Sequence, residues 1–130
     1  MATVEITKDN FEKTIKEGGL VLLDWWASWC GPCRAFAPTF EAAAGKHPDA
    51  VFGKIDTDAQ PELSQAFEIR SIPTLMIFRD GIPLFAQPGA LPAAALEDII
   101  QKAKGLDMAE VRKQYEEAQR NAGGQGQQQA

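Results

Sequence analysis

Residues 20–33 read Leu20-Val21-Leu22-Leu23-Asp24-Trp25-Trp26-Ala27-Ser28-Trp29-Cys30-Gly31-Pro32-Cys33. Leu20 to Ala27 is near-continuously apolar, broken only by Asp24, as expected of a strand buried on both faces. Cys30 then opens a helical pattern through Phe36, Phe40 and Ala44, stopped by Gly45 and Pro48. A buried strand that feeds a helix places the chain in the α/β class, with elements layered around one sheet.

The flanking sequence extends this pattern. Val4 to Ile6 reads as a short strand. Asp9 to Glu17 reads as a helix carrying Phe11 and Ile15, ended by Gly18-Gly19. Val51 to Asp56 is a further strand, and Pro61 to Phe67 a short helix with proline suited to its first turn. Thr74 to Phe78 is the clearest strand. Asp80-Gly81 then forms a two-residue hairpin turn into Ile82–Ala86. Pro92 starts a helix with Leu96, Ile99 and Ile100 on one stripe, and Gly105 closes it. Residues 1–105 therefore form one domain. Residues 106–120 read as an additional C-terminal helix, with Asp107 as cap, Glu110 at the capping-box position, and Met108, Val111, Tyr115 and Ala118 as a narrow apolar stripe. Residues 121–130, rich in Gly and Gln, read as a flexible, disordered tail.

The 130 residues are 45% apolar, carry a net charge of -5 and have a pI near 4.8. Such a chain can bury a core, and its acidic balance argues against nucleic acid or a polybasic membrane anchor. The N-terminus shows no signal peptide, and no apolar run is long enough to span a bilayer. A cytoplasmic location is expected. Thiols are kept reduced there, which disfavours two cysteines serving as a structural staple.

At the junction of strand and helix, the Cys30 sulfur would face unpaired backbone N–H groups and the positive end of the helix dipole, both of which stabilise a thiolate. Cys33 lies three residues on, along the same helix face and within disulfide reach. That geometry suits reversible disulfide exchange. Three other uses compete: half a zinc site, although there is no third cysteine and His47 is the only histidine; an inert disulfide, although so short a loop constrains the unfolded chain little; and two idle buried thiols. Asp24, a carboxylate in an apolar strand, is either a group of raised pKa able to exchange a proton near neutrality or a strand-end residue facing water. His47 reads as a solvated loop residue. Asp56, Asp58 and Glu62 read as capping and surface charge, and no metal site is expected.

From Asp24-Trp25-Trp26-Ala27-Ser28-Trp29-Cys30-Gly31-Pro32-Cys33, followed by Pro38, Lys54-Ile55-Asp56, Ile72-Pro73-Thr74 and Pro88-Gly89-Ala90, the chain resembles the thioredoxin family over about Val4 to Lys104. The resemblance implies a thioredoxin fold, a central mixed sheet flanked by helices. It implies a protein-disulfide reductase in which Cys30 attacks and Cys33 resolves, with Asp24 moving the proton and Lys54 as its charge partner. It also implies a cis-Pro73 opposite the disulfide, and a substrate groove of Trp29, Gly31, Pro32, Ile72, Pro73, Gly89 and Ala90. No cofactor would be bound. Electrons would come from NADPH through a thioredoxin reductase to disulfide-containing protein substrates, and the chain would act as a monomer. The chain departs from the family pattern at Trp25, which is expected to add bulk beside Asp24, at Arg34, at Pro88, which removes an N–H near Gly89, and in the extension after Gly105. The rival readings are a redox-independent docking module or co-chaperone, and an oxidase or isomerase that runs the same chemistry in reverse.

Overall fold

The computed structural model describes residues 2–129, with side chains through Ala122. Five strands, β1 (Thr3–Glu5), β2 (Leu20–Trp26), β3 (Val51–Asp56), β4 (Thr74–Arg79) and β5 (Ile82–Pro88), form one sheet in the order β1-β3-β2-β4-β5. β1, β3 and β2 run parallel, and β4 and β5 are antiparallel to their neighbours. The sheet is therefore mixed. β2 occupies its centre, where every residue except Trp26 is buried and a near-continuous apolar sequence is required.

The helices are α1 (Phe11–Glu17), α2 (Gly31–Lys46), α3 (Pro61–Ala66), α4 (Ala93–Lys104) and α5 (Met108–Gln129). Strand alternation splits the core in two. Leu20, Leu22, Phe52, Leu75 and Ile77 pack against Phe36 and Phe40 of α2 and Leu96 and Ile100 of α4. Val21, Leu23, Trp25, Ile55 and Phe78 face α1 and α3 on the other side, against Ile15, Phe11 and Phe67. Asp24 thus lies on the α2 face and Trp25 on the opposite one, where its ring sits 5.7 Å from that of Phe67. The bulk of Trp25 is not placed beside Asp24, because successive strand residues point to opposite sides.

Element ends shift by a few residues from the sequence reading. α2 runs through Gly45 to Lys46 instead of stopping at the glycine, and Pro92 is the extended N-cap of α4. The hairpin turn is as read: Asp80 and Gly81 both have positive φ, 54° and 82°, as a two-residue primed turn demands.

His47 is not solvated. It is the C-cap of α2, 6% exposed, with its ring stacked on Phe52. Its Nδ1 lies 2.7 Å from Lys104 Nζ and its Nε2 lies 2.8 Å from Glu97 Oε1, while Lys104 also pairs with Asp49 at 2.9 Å. An ammonium can only donate, so Nδ1 accepts from Lys104 while Nε2 faces the Glu97 carboxylate. The partners lie 50 and 57 residues away in sequence, so local pattern could not reveal them.

Asp107 caps α5 through the N–H groups of Ala109 and Glu110. Met108, Val111 and Tyr115 are half-buried and Ala118 is exposed. α5 continues past the expected boundary at residue 120, and the side chains from residue 123 onward lie outside the described residues.

Candidate active site

The end of β2 and the start of α2 place the two cysteines. Cys30 is the N-cap of α2, in an extended conformation, and Pro32 stands in the first turn, where its missing N–H costs nothing. Cys30 and Cys33 are joined in a disulfide, with Cα atoms 5.2 Å apart. Cys30 Sγ accepts the backbone N–H of Cys33 at 3.2 Å. The sulfur therefore occupies the position an N-cap oxygen would hold, at the positive end of a 16-residue helix.

The two cysteines are 5% and 3% exposed. Neither cysteine is open to solvent. Access comes instead from the rim, where Trp29 is 67% exposed and Gly31 and Pro32 are exposed beside it. The Trp29 indole N–H donates to Asp58 Oδ2 at 2.9 Å, which anchors the ring. The anchoring role of Asp58 was not apparent in the sequence, because its partner lies 29 residues away. Arg34 folds back to donate to the Ser28 carbonyl at 2.8 Å.

Opposite the disulfide, Ile72-Pro73 is a cis peptide, and the Ile72 carbonyl oxygen lies 3.6 Å from Cys30 Sγ. Ile72 and Trp26 pack on the small apolar cluster formed by Ala27, Cys30 and Cys33. Pro73 is buried, and its carbonyl accepts the Gly89 N–H at 2.7 Å. Gly89 has φ 103°, which side chains other than glycine's rarely adopt, so the β5 exit can turn toward the cis peptide only with glycine there. Gly89 and Ala90 are exposed along this rim.

On the face of β2 that packs against α2, Asp24 is fully buried, and neither carboxyl oxygen has a hydrogen-bond partner. Burial pushes its pKa up to about 7, against the attraction of Lys54 and with a smaller push from Glu41. Lys54 stands directly across from Asp24 in the β2–β3 register, but its Nζ lies over the Trp26 ring, 5.2 Å from the centroid. It influences Asp24 through space, without forming an ion pair. Asp56 Oδ1 accepts the N–H groups of Asp58 and Ala59, and Glu62 pairs with Lys8.

The arrangement is a disulfide at a helix N-terminus, faced by a cis peptide, with a buried carboxyl on the preceding strand whose pKa burial pushes up to about 7. Comparison with known proteins agrees with that chemistry. The thioredoxin family model matches residues 2–102. The chain is 60% identical over 122 residues to a "Putative thioredoxin 2" of Streptomyces coelicolor, covering 94% of this chain and 91% of that one. It is 42% identical to a thioredoxin of Staphylococcus saprophyticus over 103 residues, 78% of this chain and 98% of the relative. Among solved structures, a mutant thioredoxin from Halobacterium salinarum superposes with a TM-score of 0.75 at 31% identity, covering 81% of this chain and 94% of the other.

Proposed function

The chain belongs to the thioredoxin family and is a thiol–disulfide oxidoreductase; on that footing we propose that it reduces protein disulfides, with Cys30 attacking and Cys33 resolving. The observation that carries the division of labour is the Cys30 sulfur seated as N-cap of α2, which favours its thiolate over that of Cys33.

The reduced protein begins with a Cys30 thiolate. It attacks one sulfur of a substrate disulfide, the substrate S–S bond breaks, and a mixed disulfide forms as the first substrate thiolate leaves. Asp24 accepts the Cys33 thiol proton, and a carboxyl with pKa about 7 holds and releases protons at ambient pH. The Cys33 thiolate attacks Cys30 Sγ, the mixed disulfide breaks, and the second substrate sulfur departs and is protonated. The product is the Cys30–Cys33 disulfide of this structure.

Trp29, Gly31, Pro32, Ile72, Pro73, Gly89 and Ala90 would form the peptide groove, a reading supported by Ile72 packing on the cysteines and by the Gly89 N–H donating to the Pro73 carbonyl. Electrons would return from NADPH through a thioredoxin reductase, in the cytoplasm, to a monomer. In this reading residues 1–105 are the reacting domain and the segment beyond them an accessory extension built on α5. Among the described residues no helix is long and apolar enough to cross a membrane. The joined cysteines speak against a redox-independent docking platform.

The test is insulin reduction with NADPH and a thioredoxin reductase, together with trapping of intermediates by mass spectrometry. Cys33→Ser should accumulate a mixed disulfide through Cys30, while Cys30→Ser should accumulate none and lose turnover. Trapping through Cys33 instead would reverse the assigned roles.

A further inference from the structure

A cavity of about 470 Å³ lies under Trp26, walled by Glu41, Lys54, Asp56 and the β1 strand. It lies on the sheet face that carries Asp24: Lys54 is the register partner of Asp24, and Trp26 is two residues further along the same strand. The ionisable groups on this face are Lys54 and Asp56 from β3, Glu41 from α2, and Glu5, the register partner of Lys54, from β1. The neighbour of Asp24 on β4 is Leu75, which is apolar. Lys54 is the single cation on this wall among the described residues, and none of their ion pairs engages it. A free ammonium thus shares a cavity with an exposed glutamate, beside a buried, unpartnered carboxyl.

We propose that Glu41 is a positioning residue for the exchange reaction: from the cavity wall it offsets part of the Lys54 field at Asp24 and so helps set the conditions under which Asp24 takes the Cys33 proton. This rests on the reading that Asp24 serves Cys33. The two charges act on Asp24 in opposite senses, Lys54 favouring the carboxylate and Glu41 the acid, while burial dominates both. Glu41 acts across a solvent-lined space, where one unit charge moves a carboxyl by about 0.3 pH unit. At 1 M salt, with a screening length of about 3 Å, that influence disappears, whereas the effect of burial remains.

The experiment is a carboxyl-carbon NMR titration of Asp24 in the full-length oxidised protein. Glu41→Gln should lower the midpoint by about 0.3 pH unit at low salt and leave no difference at 1 M salt, and Glu41→Asp should restore most of the wild-type value. An unchanged midpoint at low salt, or a shift that survives 1 M salt, would overturn the proposal. This titration reads the influence of Glu41 whatever Asp24 does in turnover. If Asp24 does not serve Cys33, the failure shows separately, as an unaltered pH profile of mixed-disulfide resolution in Asp24→Asn.

Discussion

Asp24 is the one ionisable side chain in β2, and its burial has a stability cost with a definite pH signature. Its folded-state pKa of about 7 lies above the ordinary carboxylate value of 3.8. Between those values the folded protein binds more protons than the unfolded chain, so stability falls as pH rises through that window. The stability is fully present below about pH 4 and is lost as pH passes 7. The shift corresponds to about 4 kcal/mol at most, since one pH unit is worth 1.36 kcal/mol. Asp24→Asn removes the titration. In urea unfolding of the oxidised protein, the variant should exceed wild type by a few kcal/mol at pH 8. At pH 4 the two should nearly coincide. A wild-type advantage at pH 8 would show that the carboxylate is compensated in the native state. The sequence carried half of this. An aspartate inside an apolar run signalled the burial, but that Lys54 would lie on Trp26 instead of pairing with Asp24 depends on packing across two strands and a helix.

Between elements, Arg79 and the His47 cluster do what the hydrophobic pattern alone cannot. Arg79, at the end of β4, donates through Nη1 to the carbonyls of Ala103, Lys104 and Leu106. Those groups close α4, where backbone acceptors lack intrahelical partners. Arg79→Ala should cost about 2 kcal/mol by thermal or denaturant unfolding, the scale of a charge-assisted hydrogen bond at a partly buried site. It should also speed amide exchange in the last turn of α4 before other regions. The His47 cluster ties α2 to the same helix. Lys104 holds the Asp49 carboxyl below its usual range, while Gln101 and His47 lower Glu97. Both carboxylates therefore stabilise the fold above the ordinary carboxylate range, and that contribution fades as pH falls through their lowered values. In Lys104→Met, NMR should show Asp49 titrating in the usual range again, and the acid limb of unfolding should move to higher pH. Strands and helices were legible here because period and turn residues are local, as in Thr74–Arg79 with Asp80-Gly81. The sheet order and the burial of His47 were not, because both are set by contacts far apart in sequence.

For the molecule as a whole, the question is what α5 adds to a domain that already closes at Gly105. The Staphylococcus relative aligns over 103 residues, whereas the alignment with the Streptomyces protein covers 122 and must take in most of the segment beyond Gly105. In the structure that segment is fastened at few points. Arg112 donates to the Asp80 carbonyl at 2.9 Å, and Arg79 reaches Leu106 at 3.2 Å. Met108, Val111 and Tyr115 are only half-buried. Both polar ties lead to the β4–β5 turn, at the Leu20–Arg79 end of β2, whereas Cys30 follows the opposite end at Trp26. Removing residues 107–130 should therefore leave insulin reduction within about twofold of the full chain. The lost contacts are worth about 1 kcal/mol, which lowers Tm by roughly 3–6 °C for a domain of this size. The measurement is calorimetry of both forms, with turnover assayed in parallel. An unchanged Tm would mean that α5 does not pack on the domain. A large loss of turnover with the fold intact would mean that α5 reaches the reaction through a bound substrate or reductase, because its own polar ties lie at the far end of the sheet.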